Sequence, residues 1–268
     1  MAAKYSLKVG SRSIPLVTSR DKINLQQISE FKPLQDWAKG LEKEEADAAK
    51  SSSKEPSVVV SKVEVNNVEY FGSSKVGFVN LSVDAKLTES GQKPPGLIFM
   101  RGGAVAVLLI LRSKQPSTGA ISEHVVLTNQ PRLSIPSFDF PEIPAGMLDG
   151  SGDFVGKCAE ELKEECGITL ENDSLVDMTQ LAYGSNWKGV YPSAGGCDEF
   201  LRLFVSRKDM DWEELQGLKG RLGGLRDHGE SISLSIVGLR EAYKAAPDAK
   251  LLSSLALYDA LKADGKIE

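Results

Sequence analysis

Hydrophobic positions divide the chain into stretches of different period. Tyr5 to Val9 and Ile14 to Val17 flank a Gly-Ser-Arg-Ser turn and predict a hairpin. Leu25, Ile28, Phe31, Leu34, Trp37 and Leu41 recur every three or four residues and predict an amphipathic helix. Pro33 lies inside that pattern, so the helix starts or kinks there. Lys43 to Pro56 is charged, then rich in Ala and Ser, and reads as a linker. Val58 to Val65, Val68 to Phe71 and Val76 to Ala85 read as three antiparallel strands, too few to be stable without packing on something else. Thr88 to Pro95 is a turn-rich break.

Beyond it, Leu97 to Met100, Ala104 to Leu111 and Val125 to Asn129 read as strands. Ala104 to Leu111 is apolar throughout, the pattern of a strand buried on both faces. Ser134 to Phe140 reads as irregular, and two prolines stiffen Pro141 to Gly146. Leu181 to Tyr183, Phe200 to Val205 and Ser231 to Val237 read as strands. Between the first two runs Gly184 to Glu199, a long loop rich in Gly and aromatics. Asp211 to Arg226 is a charged excursion broken by Gly, and helices at Leu239–Ala246 and Leu251–Lys262 close the chain. The expected division is residues 1–48 (hairpin and helix), 57–95 (antiparallel β) and 96–268 (a larger α/β domain).

The stretch from Gly146 to Ile168 organises the rest. It opens as a Gly-rich loop and turns helical near Asp153, an N-cap residue type, with Gly167 as the stop. At about 100° per residue, Phe154, Val155, Cys158, Ala159, Leu162 and Cys166 share the packing face. Glu161, Glu164 and Glu165 cluster at its edge, with Glu165 nearly inside the apolar stripe. Like charges at such spacing cost roughly 0.2–0.5 kcal/mol per pair, and a carboxylate against apolar surface costs more. A hard divalent cation would remove both penalties, and oxygen ligands suit Mg²⁺ or Mn²⁺. The competing reading is a solvated acidic face.

Composition narrows the class. With 268 residues, 41% hydrophobic, the chain can bury a sizeable core. A net charge of −5 argues against a general nucleic-acid or anionic-membrane binder. Cys158, Cys166 and Cys197 form no C-x-x-C, and with two histidines a zinc site is not expected. No apolar run is long enough to span a bilayer, and the first residues show neither a signal h-region nor an Arg/Ser-rich transit pattern. A cytoplasmic or plastid-stroma location is the expectation.

The Gly146–Ile168 stretch resembles the Nudix box: Gly, five residues, Glu, seven residues, then Arg-Glu-aliphatic-x-Glu-Glu-x-Gly-aliphatic. Gly146, Glu161, Leu162, Glu164, Glu165, Gly167 and Ile168 match in register. Gly152 stands where the first Glu belongs, and Glu160 where the Arg belongs. Arg101-Gly-Gly-Ala-Val-Ala-Val, Glu142-Ile-Pro-Ala-Gly-Met-Leu-Asp149, Gly152-Asp-Phe-Val-Gly156, Tyr191-Pro-Ser-Ala-Gly-Gly-Cys-Asp-Glu199 and Gly224-Leu-Arg-Asp-His-Gly-Glu230 extend the likeness to the ADP-sugar diphosphatase branch, over about residues 57 to 262.

The resemblance implies an α/β/α sandwich with a mixed sheet, preceded by a small β-rich region through which relatives form homodimers. It implies hydrolysis of a nucleoside diphosphate derivative, an ADP-sugar such as ADP-glucose or ADP-ribose giving AMP and sugar 1-phosphate. Divalent ions, Mg²⁺ or Mn²⁺, neutralise the pyrophosphate and orient water. Glu161, Glu164 and Glu165 match the family's metal ligands, with the Ala145 carbonyl as the backbone contribution. Glu164 also counts among the catalytic residues. Glu230 matches the late-loop Glu that takes the proton from water, and reads equally as an ordinary Glu ahead of a strand. Arg101 and Glu142 resemble substrate-binding positions, or form structural ion pairs. Arg132 pairs with a phosphate or is solvated. Trp187 and Tyr191 stack on adenine or pack under their loop. Ser193 and Gly195 belong to the same Ser-Ala-Gly-Gly loop and are its substrate-binding candidates.

Glu160 adds a fourth negative charge where Arg would fix the glutamate rotamers, and Lys157 or Lys163 offers partial compensation. Two functions therefore stand: a metal-dependent ADP-sugar diphosphatase, or a weak or silent Nudix fold that binds nucleotide sugars or serves as a structural partner.

Overall fold

The computed structural model describes residues 5–50, 56–148, 153–170, 174–224 and 232–268. Its contacts divide the chain into two compact units: residues 1–103 with 193–199, and residues 104–192 with 200–268.

In the first unit, β1 (Tyr5–Val9) and β2 (Arg12–Val17) form the expected hairpin, closed at Gly10, whose φ of 56° suits the turn. Helices α1 (Leu25–Ser29) and α2 (Lys32–Lys50) follow. Pro33 falls in the first turn of α2, where its missing N–H costs nothing. The expected linker from Lys43 is helical as far as Lys50, because its Ala, Glu and Lys residues are strong helix formers. The three expected strands are two, β3 (Val58–Phe71) and β4 (Lys75–Leu87). Register shifts between Val65 and Asn67 break the alternation of β3 without ending it, as a bulge does. Strand β5 (Leu97–Met100) joins this sheet beside β4, giving the order β1-β2-β3-β4-β5 among the described residues. Leu7, Ile14, Leu16, Val63, Val65, Val79 and Leu81 meet Ile28 and Leu34 in its core.

The second unit is built on β6 (Ala104–Lys114), which is buried from Ala104 to Leu111. β7 (Ile121–Arg132) lies antiparallel on one side and β11 (Leu201–Asp209) parallel on the other. Among the described residues the sheet runs β10 (Val176–Asp177), β11, β6, β7, β13 (Ile232–Gly238), β12 (Leu222–Gly223). β8 (Ser137–Glu142) pairs with β7, and β9 (Ala145–Met147) with β6. The irregular stretch expected before Phe140 is thus partly strand; Phe138 and Asp139 are both exposed, so no two-residue period shows.

Alternation along β6 makes two cores. Ala104, Ala106, Leu108 and Ile110 pack with Met178 of α4 (Met178–Tyr183), Ala242 of α6 (Ala242–Ala245), and Leu251, Tyr258 and Leu261 of α7 (Ala249–Ala263). Val105, Val107, Leu109 and Leu111 pack with Cys158, Leu162 and Cys166 of α3 (Phe154–Cys166) and Leu215 and Leu218 of α5 (Trp212–Leu218). Helices on both faces of a mixed sheet are the expected α/β/α sandwich. The strand expected at Leu181–Tyr183 is instead helix α4, because Asp177 caps it, accepting the Gln180 N–H at 2.8 Å.

Candidate active site

Helix α3 forms where the sequence places it. The Asp153 carboxylate accepts the Gly156 N–H at 2.9 Å, and Gly167 ends the helix at φ 63°. Cys158, Leu162 and Cys166 go into the core, and their neighbour Glu165 is carried in with them at 6% exposure. Its Oε2 accepts the Ala145 N–H at 3.2 Å. Glu161 reaches the next residue of β9: a Cβ built on Gly146 would stand 1.8 Å from Glu161 Oε1. The glycine is therefore what lets this carboxylate lie against the strand. Two of the box glutamates are thus fastened or fitted to β9, whose register on β6 is Ala106 to Ala145 and Val105 to Gly146.

Lys157 supplies a positive charge to Glu161. Its Nζ lies 2.8 Å from Glu160 Oε2 and 2.9 Å from Glu161 Oε1. Burial pushes the Glu161 pKa up, and the Lys157 hydrogen bond opposes that. Burial disfavours the Lys157 charge too, yet bonds to Glu160 and Glu161 hold its pKa above the ordinary value. Lys163, the other proposed compensator, is exposed. Glu164 is half-buried, and its backbone carbonyl accepts the Gly224 N–H at 3.0 Å.

The oxygen-only donors Glu161, Glu164, Glu165 and Ala145 have the chemistry a hard divalent ion takes. Among the described residues, no three His, Cys, Asp or Glu side chains are gathered into a group that could hold a metal. Glu161 is engaged by Lys157 and Glu165 by the Ala145 N–H. The residue types fit the ion.

Arg132 and Glu142 come together. Glu142 is 2% exposed, and it accepts from Arg132 Nε at 2.8 Å and from Lys250 Nζ at 2.6 Å. Such a buried carboxylate is tolerable only because it is paired. Glu142 is thus ion-paired on both sides, and Arg132 is one of its two partners. Trp187 and Tyr191 meet edge to face with centroids 6.0 Å apart. Trp187 is 61% exposed, so it is not packed beneath its loop.

Arg101, Ser193 and Gly195 belong to the first unit. Arg101 pairs with Glu199 at 3.1 Å and lies over the Phe78 ring. Asp198 accepts the backbone N–H groups of Arg101 and Gly102 at 2.7 and 3.1 Å. Ser193 turns the chain, its carbonyl accepting from Gly196 and Cys197, and the Cβ position of Gly195 faces open space. Glu230 and Gly152 lie outside the described residues.

Three contributors escaped the sequence reading. Asp248 caps α7 through Lys250 and Leu251 and also accepts the Ile143 N–H at 3.2 Å, fixing the run into β9. Lys250 neutralises Glu142. Gly223 admits the Glu165 carbonyl, which would stand 1.8 Å from an added Cβ. The Pro-Asp-Ala-Lys run at Pro247 carried a readable signal, an Asp just ahead of a helix.

The second unit thus has a mixed sheet between two helical layers, with an acidic helix laid against a glycine-bearing strand. No family model matches the chain. It is 37% identical over 232 residues to Nudix hydrolase 14, chloroplastic, of Arabidopsis thaliana, covering 86% of this chain and 71% of that one. The chain belongs to the Nudix hydrolase family. Two solved structures are also similar. One is an ADP compounds hydrolase (17% identity, 78% of this chain and 99% of that one, TM-score 0.46). The other is an Ap4A hydrolase of C. elegans in a binary complex (16% identity, 60% of this chain and 98% of that one, TM-score 0.37). Members of the family hydrolyse the diphosphate of nucleoside diphosphate derivatives and generally use divalent metals such as Mg²⁺. Among the described residues no helix is long and apolar enough to cross a membrane.

Proposed function

We propose that the chain hydrolyses ADP-sugars, ADP-glucose and ADP-ribose among them, to AMP and a sugar phosphate with a divalent ion bound by Glu161, Glu164, Glu165 and the Ala145 carbonyl. The observation that carries this reading is the fit of Glu161 and Glu165 onto β9 at Gly146 and Ala145. When bound, the ion would neutralise the diphosphate and lower the pKa of water. The chain's own residues do the rest: Gly146 leaves room for Glu161, the Ala145 N–H orients Glu165, and Asp248 steadies the backbone leading to both. Glu230 is proposed as the base. Arg132 and the exposed Trp187 and Tyr191 are proposed to meet the substrate. The Glu199 pair of Arg101 supports its structural role instead.

A second reading keeps a specific observation: Lys157 already neutralises Glu161, which supports a weak or silent Nudix fold that binds nucleotide sugars. AMP release from ADP-glucose, ADP-ribose and a UDP-sugar, with Mg²⁺ and with Mn²⁺, separates the two. Metal-dependent release abolished by Glu164→Gln/Glu165→Gln establishes the enzyme; no release with any substrate or metal sinks it. Homodimerisation through the first sheet and a plastid location are further proposals, resting on the resemblance and on the relative's name. Light scattering and organelle fractionation test them.

A further inference from the structure

We propose that Lys157 is a resident counter-cation of the acidic helix, which a divalent ion must outcompete for Glu161. The inference rests on the metal-dependent reading above. Lys157 stands one helical turn before Glu161 and holds its Oε1 at 2.9 Å. The lysine side chain is 22% exposed and that of Glu161 13%, so little water screens this pair. Its second partner, Glu160, is 53% exposed, so water screens that contact more. The same Oε1 is the atom pressed closest to Gly146. Lys157 therefore grips the carboxylate for which Gly146 leaves room on β9.

Glu160 gives the arrangement its meaning. Arg at that position would bring a fixed, delocalised cation to the glutamates. Here the cation comes from the preceding turn, on a flexible stem, and shares its charge between two carboxylates. Without an ion it offsets the repulsion between Glu160 and Glu161. With an ion at Glu161 it becomes a like charge at close range, which lowers affinity. The metal-free form is thereby stabilised and the threshold concentration of metal is raised. Had Lys157 served to orient Glu161 as a ligand, its removal would weaken metal binding, the opposite sign.

The experiment measures Mn²⁺ binding to the full chain by electron paramagnetic resonance, without substrate, for wild type, Lys157→Met, Lys157→Arg and the Glu164→Gln/Glu165→Gln control. Thermal midpoints are taken with and without Mn²⁺. Lys157→Met is expected to bind Mn²⁺ about tenfold tighter than wild type, to melt lower without metal, and to gain more from Mn²⁺. Lys157→Arg is expected to match wild type. Lys157→Gln repeats the comparison should the Met variant not fold. Equal or weaker binding by the neutral variants overturns the counter-cation proposal while leaving the metal reading intact. Absence of site binding in every variant and in wild type overturns both.

Discussion

Replacing Gly146 by Ala separates the fold from the chemistry. The new Cβ would stand 1.8 Å from Glu161 Oε1, 2.0 Å from Cδ and 2.5 Å from Cγ. Ordinary contact needs about 3.5–4.0 Å, so the carboxylate has to withdraw by more than about 1 Å. All three atoms lie toward the free end of a flexible side chain, and the φ of Gly146 is not in the left-handed region, so the backbone can stay. Lys157, on its flexible stem, can follow the displaced carboxylate, so the main cost is an off-rotamer Glu161, about 0.5–1.5 kcal/mol. That shifts the melting temperature by only about 1–6 °C for a chain of this size. Displacing a catalytic group by about 1 Å costs on the order of 100-fold in rate. Urea denaturation and kcat/KM for AMP release from ADP-glucose should therefore part company: a modest loss of stability beside a collapse in rate. Unaltered kcat/KM in Gly146→Ala would refute the argument, because Glu161 would then not act from its place against β9.

Gly223→Ala should do the reverse, since its Cβ would meet the Glu165 backbone carbonyl at 1.8 Å and backbone cannot swing aside; a loss of about 1–3 kcal/mol in urea unfolding is expected. Asp248→Ala should cost about 2 kcal/mol by the same assay, because the caps of α7 and the Ile143 N–H all lose their acceptor. Burial, helped by Lys219, holds the His124 pKa below its usual 6.5. The unfolded chain then takes up more protons than the folded one, and stability falls as pH drops from 6.5 through the folded-state pKa. The wild-type-minus-His124→Phe stability difference should follow that fall; a difference independent of pH would remove His124 from the linkage.

Where one physical signal dominated, the sequence was readable. The unbroken apolar run at Ala104–Leu111 marked the doubly buried strand, and the Asp153 cap, the apolar face and Gly167 marked α3. Reading failed where two signals conflicted. The bulge near Asn67 looked like a strand break, and a helix opened by Asp177 looked like a strand because Leu181 and Tyr183 alternate. In the candidate site, the glutamates and Gly146 were legible because their spacing is local. The partners of Glu142 were not, since Lys250 lies 108 residues away and no period links them. Lys157 was one of two candidate compensators, with Lys163, and only the side-chain geometry chose between them.

Glu165 is fastened at both ends: its side chain takes the Ala145 N–H while its own carbonyl sits against Gly223. A mutant at this position therefore confounds two losses. Ala would discard the negative charge and also orphan a part-buried N–H, whereas Gln keeps an oxygen acceptor of nearly the same shape. The stability gap between the Ala and Gln proteins isolates what the residue does for the strand, and the rate of the Gln protein isolates what its charge does for hydrolysis. By the same logic, a glutamate here in another chain is no certificate of catalysis, because holding β9 in place is reason enough to keep it.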